Sequence, residues 1–151
     1  MKKDLPNGYL PVLIENGKEA KDQGKACMRY VCQRFGMYPK DPMEVYRAEC
    51  VVEVVSEDCK FFDPSFVEAE DKMKWGIDFS AKKLPGYFAN LDKICSENIK
   101  KTGFAANNSF SIADVALLSY LSYTAFHPTR HKQCSEYLAK FPTLMEYWKK
   151  H

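Results

Sequence analysis

Few side chains of this sequence stand where they could do chemistry together. His127 and His131 are four residues apart, a separation that puts two imidazoles on one helical face, but Pro128 ends any helix between them. No His-Glu-x-x-His run or third ligand accompanies them, so no metal site is expected. Six cysteines, Cys27, Cys32, Cys50, Cys59, Cys95 and Cys134, occur without a Cys-x-x-Cys pair, and none has a neighbouring cue for a depressed thiol pKa. They read as small hydrophobes suited to a reducing compartment. Tyr120, Tyr123 and Phe126 fall at helical spacing and could line an apolar pocket, although that spacing is more often plain core packing.

The most specific pairing is Ser111-Ile112-Ala113-Asp114, with Phe110 before it and Val115 after it. A Ser111 hydroxyl accepting from the Asp114 amide, and an Asp114 carboxylate accepting from the Ser111 amide, would satisfy two orphan donors at a helix start. Phe110 and Val115 are placed to close on each other as a hydrophobic staple. Ile112, Val115, Ala116, Leu117, Leu118 and Leu121 leave almost no polar face, which predicts a helix with neighbours on every side.

The elements around that helix follow from local signals. After a polar entry ending in Pro6-Asn7-Gly8, residues Tyr9 to Ile14 predict a strand, and Asn16-Gly17 predicts a tight turn because both central positions of a type I′ turn need positive φ. Lys18 to Lys21 returns as a polar second strand, suited to an edge. Ala26, Cys27, Tyr30, Val31 and Phe35 repeat at helical spacing, and Gly36 stands where a left-handed cap is wanted. Tyr38-Pro39-Lys40-Asp41-Pro42 is the connector, with Asp41 capping a helix that Pro42 opens. The domains are therefore expected at residues 1–37 and 38–151.

Beyond the connector an all-helical order is expected. Met43 to Phe61 carries several β-branched residues and could be misread as strand; the charges at Glu44, Arg47, Glu49, Glu53, Glu57 and Asp58, together with the family likeness set out below, favour helix. A helical run from about Val67 is expected to continue past Cys95 with a bend near Leu84-Pro85. Short helices near Gln133 to Ala139 and from Pro142 onward close the sequence.

Composition bounds the function classes. Within 151 residues, 46% are hydrophobic and 28% charged, enough to bury about two thirds of the unfolded surface. No apolar run approaches the roughly 18 residues of a membrane span, so no membrane insertion is expected. Its 22 basic and 20 acidic residues are mixed along the chain, which offers no basic arm for nucleic acid. With no secretory signal visible, the cytoplasm or another reducing intracellular compartment is expected, and a mitochondrial or ciliary assembly stays open.

Taken together, Leu10-Pro11-Val12-Leu13, the Asn16-Gly17 turn, Gln23-Gly24-x-Ala26, Arg29-Tyr30, the stretch Asn107 to Asp114 and the terminal Phe141-Pro142-x-Leu144-x-x-Tyr147 resemble the glutathione transferase family, mu, pi or sigma in kind. The resemblance implies an α+β fold, a partial thioredoxin-like lobe of hairpin plus helix followed by the family's all-α C-terminal domain. It places the start of the chain just before the family's third strand, so the segment with the catalytic Tyr, Ser or Cys has no counterpart and no catalytic residue is assigned. A vestigial glutathione site is implied at Tyr9, Leu10, Pro11, Gln23 and Gly24. There Pro11 stands for the family's cis-proline, Gln23 for the glutamine that holds the γ-glutamyl end, and Gly24 replaces a serine. Lys2 or Lys3 would face the glycyl carboxylate, and Glu53 or Val54 falls where some classes place an acidic residue.

The favoured reading gives Leu10, Pro11 and Gln23 a folding role, with glutathione only a possible ligand and no cofactor. The family likeness then implies an inactive relative acting as a structural or interaction subunit. A partner protein covering the open sheet edge, or a homodimer, would shield the strands. The alternative is a working transferase that conjugates glutathione to electrophiles.

Overall fold

The hairpin forms where Asn16-Gly17 demands it. In the computed structural model, which describes residues 11–21, 23–60, 82–125 and 131–151, Asn16 and Gly17 hold φ of 53° and 70°. They join β1 (Leu13–Glu15) to an antiparallel β2 (Lys18–Lys21). The register pairs Leu13 with Lys21, Ile14 with Ala20 and Glu15 with Lys18, so one residue of β2 bulges out next to the turn. The strand expected from Tyr9 begins later, at Leu13. Pro11 lacks an amide for a ladder, and Tyr9 and Leu10 lie outside the described residues.

Helix α1 (Gly24–Arg34) follows, and Gly36 at φ 71° turns the chain so that the Met37 amide reaches the Cys32 carbonyl at 2.7 Å. The left-handed cap read from Gly36 is present. Asp41 Oδ1 accepts from the amides of Met43 and Glu44, both at 3.0 Å, and so caps α2 (Pro42–Lys60), whose first position is a proline with no amide to leave unpaired. The β-branched residues of α2 are helical because Val51, Val52 and Val55 are buried with Ala48, and packing overrides weak local propensity.

Helix α3 (Leu84–Thr102) begins where the sequence suggests a bend. Pro85 stands in its first turn, the place where a missing amide costs nothing, and residues 61–81 lie outside the described residues. Gly103 at φ 84° ends it, donating to the Ile99 carbonyl at 2.8 Å.

Helix α4 (Ile112–Ala125) runs through the middle, packed by α2 and by α5 (His131–Leu138), with α1 and α6 (Pro142–Lys150) also against it. Ile112, Ala113, Leu117 and Leu121 are fully buried, and α3 adds Leu84, Phe88, Leu91 and Cys95 to the same core. Each such large side chain contributes about 1.5–3 kcal/mol. Tyr120 meets Phe88 edge-on with centroids 6.2 Å apart, whereas Tyr123 is half exposed. Tyr120 and Tyr123 therefore differ in burial, and Phe126 lies outside the described residues.

Leu117→Ala is expected to lower unfolding free energy by about 2–5 kcal/mol, and Asp41→Ala by about 1 kcal/mol. Urea denaturation checks both, and a cap loss equal to the core loss would contradict this packing.

Candidate functional site

Gln23 is held at φ 70° and ψ 93° in front of α1, a left-handed backbone that few non-glycine residues adopt. Among the described residues no side chain caps the helix start, and no acidic residue stands in its first turn, which leaves the first amides of α1 suited to an anion. A Cβ built on Gly24 would lie 3.4 Å from the Pro11 ring, which brings Pro11 and Gly24 together at the start of α1. Gln23 and Pro11 are exposed. Of the residues read as a glutathione site, these three adjoin; Tyr9 and Leu10 lie outside the described residues, as do Lys2 and Lys3.

That lobe is bolted to the helices by charge. Arg29 of α1 makes a two-pronged contact with Glu49 of α2, at 3.0 and 2.5 Å, and its second prong also reaches Glu53 at 2.9 Å. Tyr38 donates to the same Glu49 at 2.7 Å. The Arg29 bond holds the Glu49 carboxyl below its usual range, and Glu49 in turn pushes the Tyr38 phenol up. Forked guanidinium contacts fix orientation as well as distance. The Met37 carbonyl, accepting from the Ile112 amide at 2.9 Å, ties the connector to the start of α4. None of this was legible in the sequence, because Arg29 and Glu49 are 20 residues apart across a connector.

Asp114 is fully buried. Its carboxylate accepts from the amides of Ala105 and Ser111 at 2.7 and 2.8 Å, from the Ser111 hydroxyl at 3.2 Å and from the Tyr147 hydroxyl at 2.6 Å. The carboxylate arm of the expected box is therefore in place. The other arm differs: the Asp114 amide donates to the Ser111 carbonyl at 3.0 Å, while the hydroxyl turns to the carboxylate. A buried charge draws every available donor, and here the hydroxyl is one of them. Phe110 lies against the His151 ring at 6.2 Å between centroids, and Val115 packs on the core.

The loop between α3 and α4 is set by a second polar cluster. Asn98 Nδ2 reaches the carbonyls of Phe104 and Asn107 at 2.8 and 2.9 Å, and Thr102 Oγ1 accepts from the Phe104 amide at 3.1 Å. The Asn107 side-chain amide donates to the Glu44 carbonyl at 3.1 Å, pinning the loop to α2.

The buried cysteines are inert by position. Burial lifts the Cys95 thiol to about 12, with the carboxylates of Asp114 and Asp92 adding to it, and burial alone raises Cys32. Cys27 and Cys50 are half-buried and in no disulfide. Among the described residues no cluster of three His, Cys, Asp or Glu could hold a metal, and His127 lies outside them. No helix among them is long and apolar enough to cross a membrane.

Residues 58–151 match the family model of the glutathione S-transferase C-terminal domain. Among solved structures, the chain is similar to a monomeric glutathione S-transferase of the hookworm Necator americanus, at 24% identity and TM-score 0.74, over 99% of this chain and 71% of that one. A pi-class glutathione S-transferase of Onchocerca volvulus is 21% identical with TM-score 0.76, over 98% and 67%. Prostaglandin synthase D of Nilaparvata lugens is 21% identical with TM-score 0.77, over 99% and 71%. At these identities the likeness is one of fold, and it includes the hairpin and α1.

Removing the Asp114 carboxylate strands several buried donors. Asp114→Ala is expected to cost about 3–5 kcal/mol and Tyr147→Phe about 1.5–3 kcal/mol, with a double-mutant cycle showing strong coupling. Burial and then the Asp114 bond raise the Tyr147 phenol above its ordinary value, so folded Tyr147 and Cys95 keep protons that the unfolded chain gives up. The stability they contribute is complete below about pH 8.5 and is lost as pH rises past the free thiol and phenol values near 8.5 and 10. Denaturant titrations should show stability falling above that pH, with Tyr147→Phe flattening the part beyond about pH 10. Parallel alkaline slopes for the two proteins would refute the Tyr147 assignment.

Proposed function

The chain belongs to the glutathione S-transferase family, and on that footing we propose that it works as a structural, protein-binding relative that does not itself conjugate glutathione. It is an α+β protein, a hairpin and helix of thioredoxin-like kind followed by the family's C-terminal helical domain. The observation that carries the proposal is apolar surface on the small lobe. Ile14, on a sheet of two strands among the described residues, is 62% exposed and Phe35 at the end of α1 is 71% exposed. A two-stranded sheet is marginal unless its apolar side is covered. A protein partner seated on that sheet would cover it, and the Arg29–Glu49 contact would hold the partner in fixed register with the helices. Gly24 brings no hydroxyl to the start of α1, which weakens the hold on a carboxylate there.

A second reading, a working transferase, is favoured by Gln23. A backbone strained at φ 70° costs on the order of 1–3 kcal/mol and gathers at ligand sites. Glutathione would then place a carboxylate at the uncapped start of α1.

The purified chain, passed over immobilised glutathione and then assayed for thiol conjugation, separates the two. The proposal expects little retention and no turnover, Gly24→Ser raising retention by restoring a hydroxyl, and Ile14→Lys leaving the fold intact while abolishing partner binding. Turnover by the purified chain would overturn the proposal and establish the second reading.

A further inference from the structure

The tip of the hairpin combines a side-chain amide with an unhindered backbone nitrogen. Asn16 and Gly17 are both exposed and hold φ of 53° and 70°. Among the described residues, no heavy atom lies within 4 Å of where a Cβ on Gly17 would stand. The Gly17 nitrogen is therefore uncrowded beside the Asn16 amide, and glycine gives the backbone there more freedom to turn than any other residue. The other described asparagines are held. Asn90 and Asn98 lie inside α3, where the amide of the next residue belongs to the helix ladder, and the Asn98 side chain is also bound to the carbonyls of Phe104 and Asn107. Asn107 is buried with its side-chain amide on the Glu44 carbonyl. Asn108 is exposed but precedes Ser109, not a glycine.

We infer that Asn16-Gly17 is a self-modification site at which the chain converts to isoaspartate and loosens the hairpin from α1. The Gly17 nitrogen forms a bond to the Asn16 side-chain carbonyl carbon, its proton passes to solvent, and the side-chain nitrogen leaves as ammonia. Water then opens the cyclic imide. Attack at the backbone carbonyl breaks its bond to nitrogen, so the chain runs on through the former side chain and an α-carboxylate is freed. The extra methylene enters a two-residue turn whose geometry sets the register of Leu13 with Lys21 and Ile14 with Ala20. The new charge appears beside Glu15, which accepts from the Tyr30 hydroxyl at 2.6 Å and lies 3.6 Å from the Arg34 guanidinium. Those contacts tie the hairpin to α1, and a second carboxylate competes for the largely exposed Arg34. The chemistry is independent of what the small lobe binds.

Incubating the purified full chain at mildly alkaline pH and mapping its peptides by fragmentation, which separates Asn16 from Asn7, tests the inference. The amide-to-acid mass change, with isoaspartate identified by an isoaspartyl methyltransferase, should appear at Asn16 at least about tenfold faster than at Asn90, Asn98 or Asn107, whose surroundings must open first. Gly17→Ala should slow it about tenfold or more by crowding the nitrogen. Asn16→Gly, which suits the same positive φ, should abolish it with the hairpin kept. In the converted chain, amide exchange should quicken in β1 and β2 and stay unchanged in α4. Asn16→Asp, which adds charge without lengthening the chain, should quicken it less. Conversion in urea but not in the folded chain, equal rates at Asn16 and Asn98, or unchanged hairpin exchange after conversion would overturn the inference.

Discussion

The buried carboxylate of Asp114 is the constraint the rest of the helical domain is arranged around. A charge with no solvent contact survives only if its lone pairs are occupied, and four donors from three separate parts of the chain occupy them. Ser111 belongs to the helix start, Ala105 to the loop after α3, and Tyr147 to α6, 33 residues further on. One side chain therefore fixes the start of the central helix, the path of the preceding loop and the docking of the last helix. Hydrophobic burial supplies the bulk of the stability but has no direction. The carboxylate supplies direction, and with it a single arrangement of helices that could otherwise slide on one another.

A second polar device divides the labour differently. Arg29, Glu49 and Tyr38 sit at a partly exposed joint, where ion pairs contribute modestly to stability but fix geometry through the fork of the guanidinium. The small lobe is thus held in one orientation, with Ile14 and Phe35 exposed on it. The Asn107 bond to the Glu44 carbonyl likewise holds the α3–α4 loop against α2.

Local chemistry made much of this legible in advance. Asn16-Gly17, Gly36 and Asp41-Pro42 each impose a backbone conformation or a hydrogen bond that their neighbours cannot supply, so these turns and helix ends were readable at single-residue scale. Elsewhere the local signal was ambiguous. Pro85 reads as a bend inside a longer helical run, and it stands in the first turn of α3. The run of valines in α2 fits strand and helix alike until burial is known.

By itself the sequence determined the order of elements, the Ser111–Asp114 helix start, the absence of any dithiol or histidine motif, and the likeness to a family of transferases, because these depend on residues close together in the chain. The tertiary structure decided the partners of Asp114, the Arg29–Glu49 joint and the strain at Gln23. Each of those depends on groups brought together from distant positions. Distance in space between side chains 20 or 33 residues apart is set by packing, and packing is a property of the whole chain.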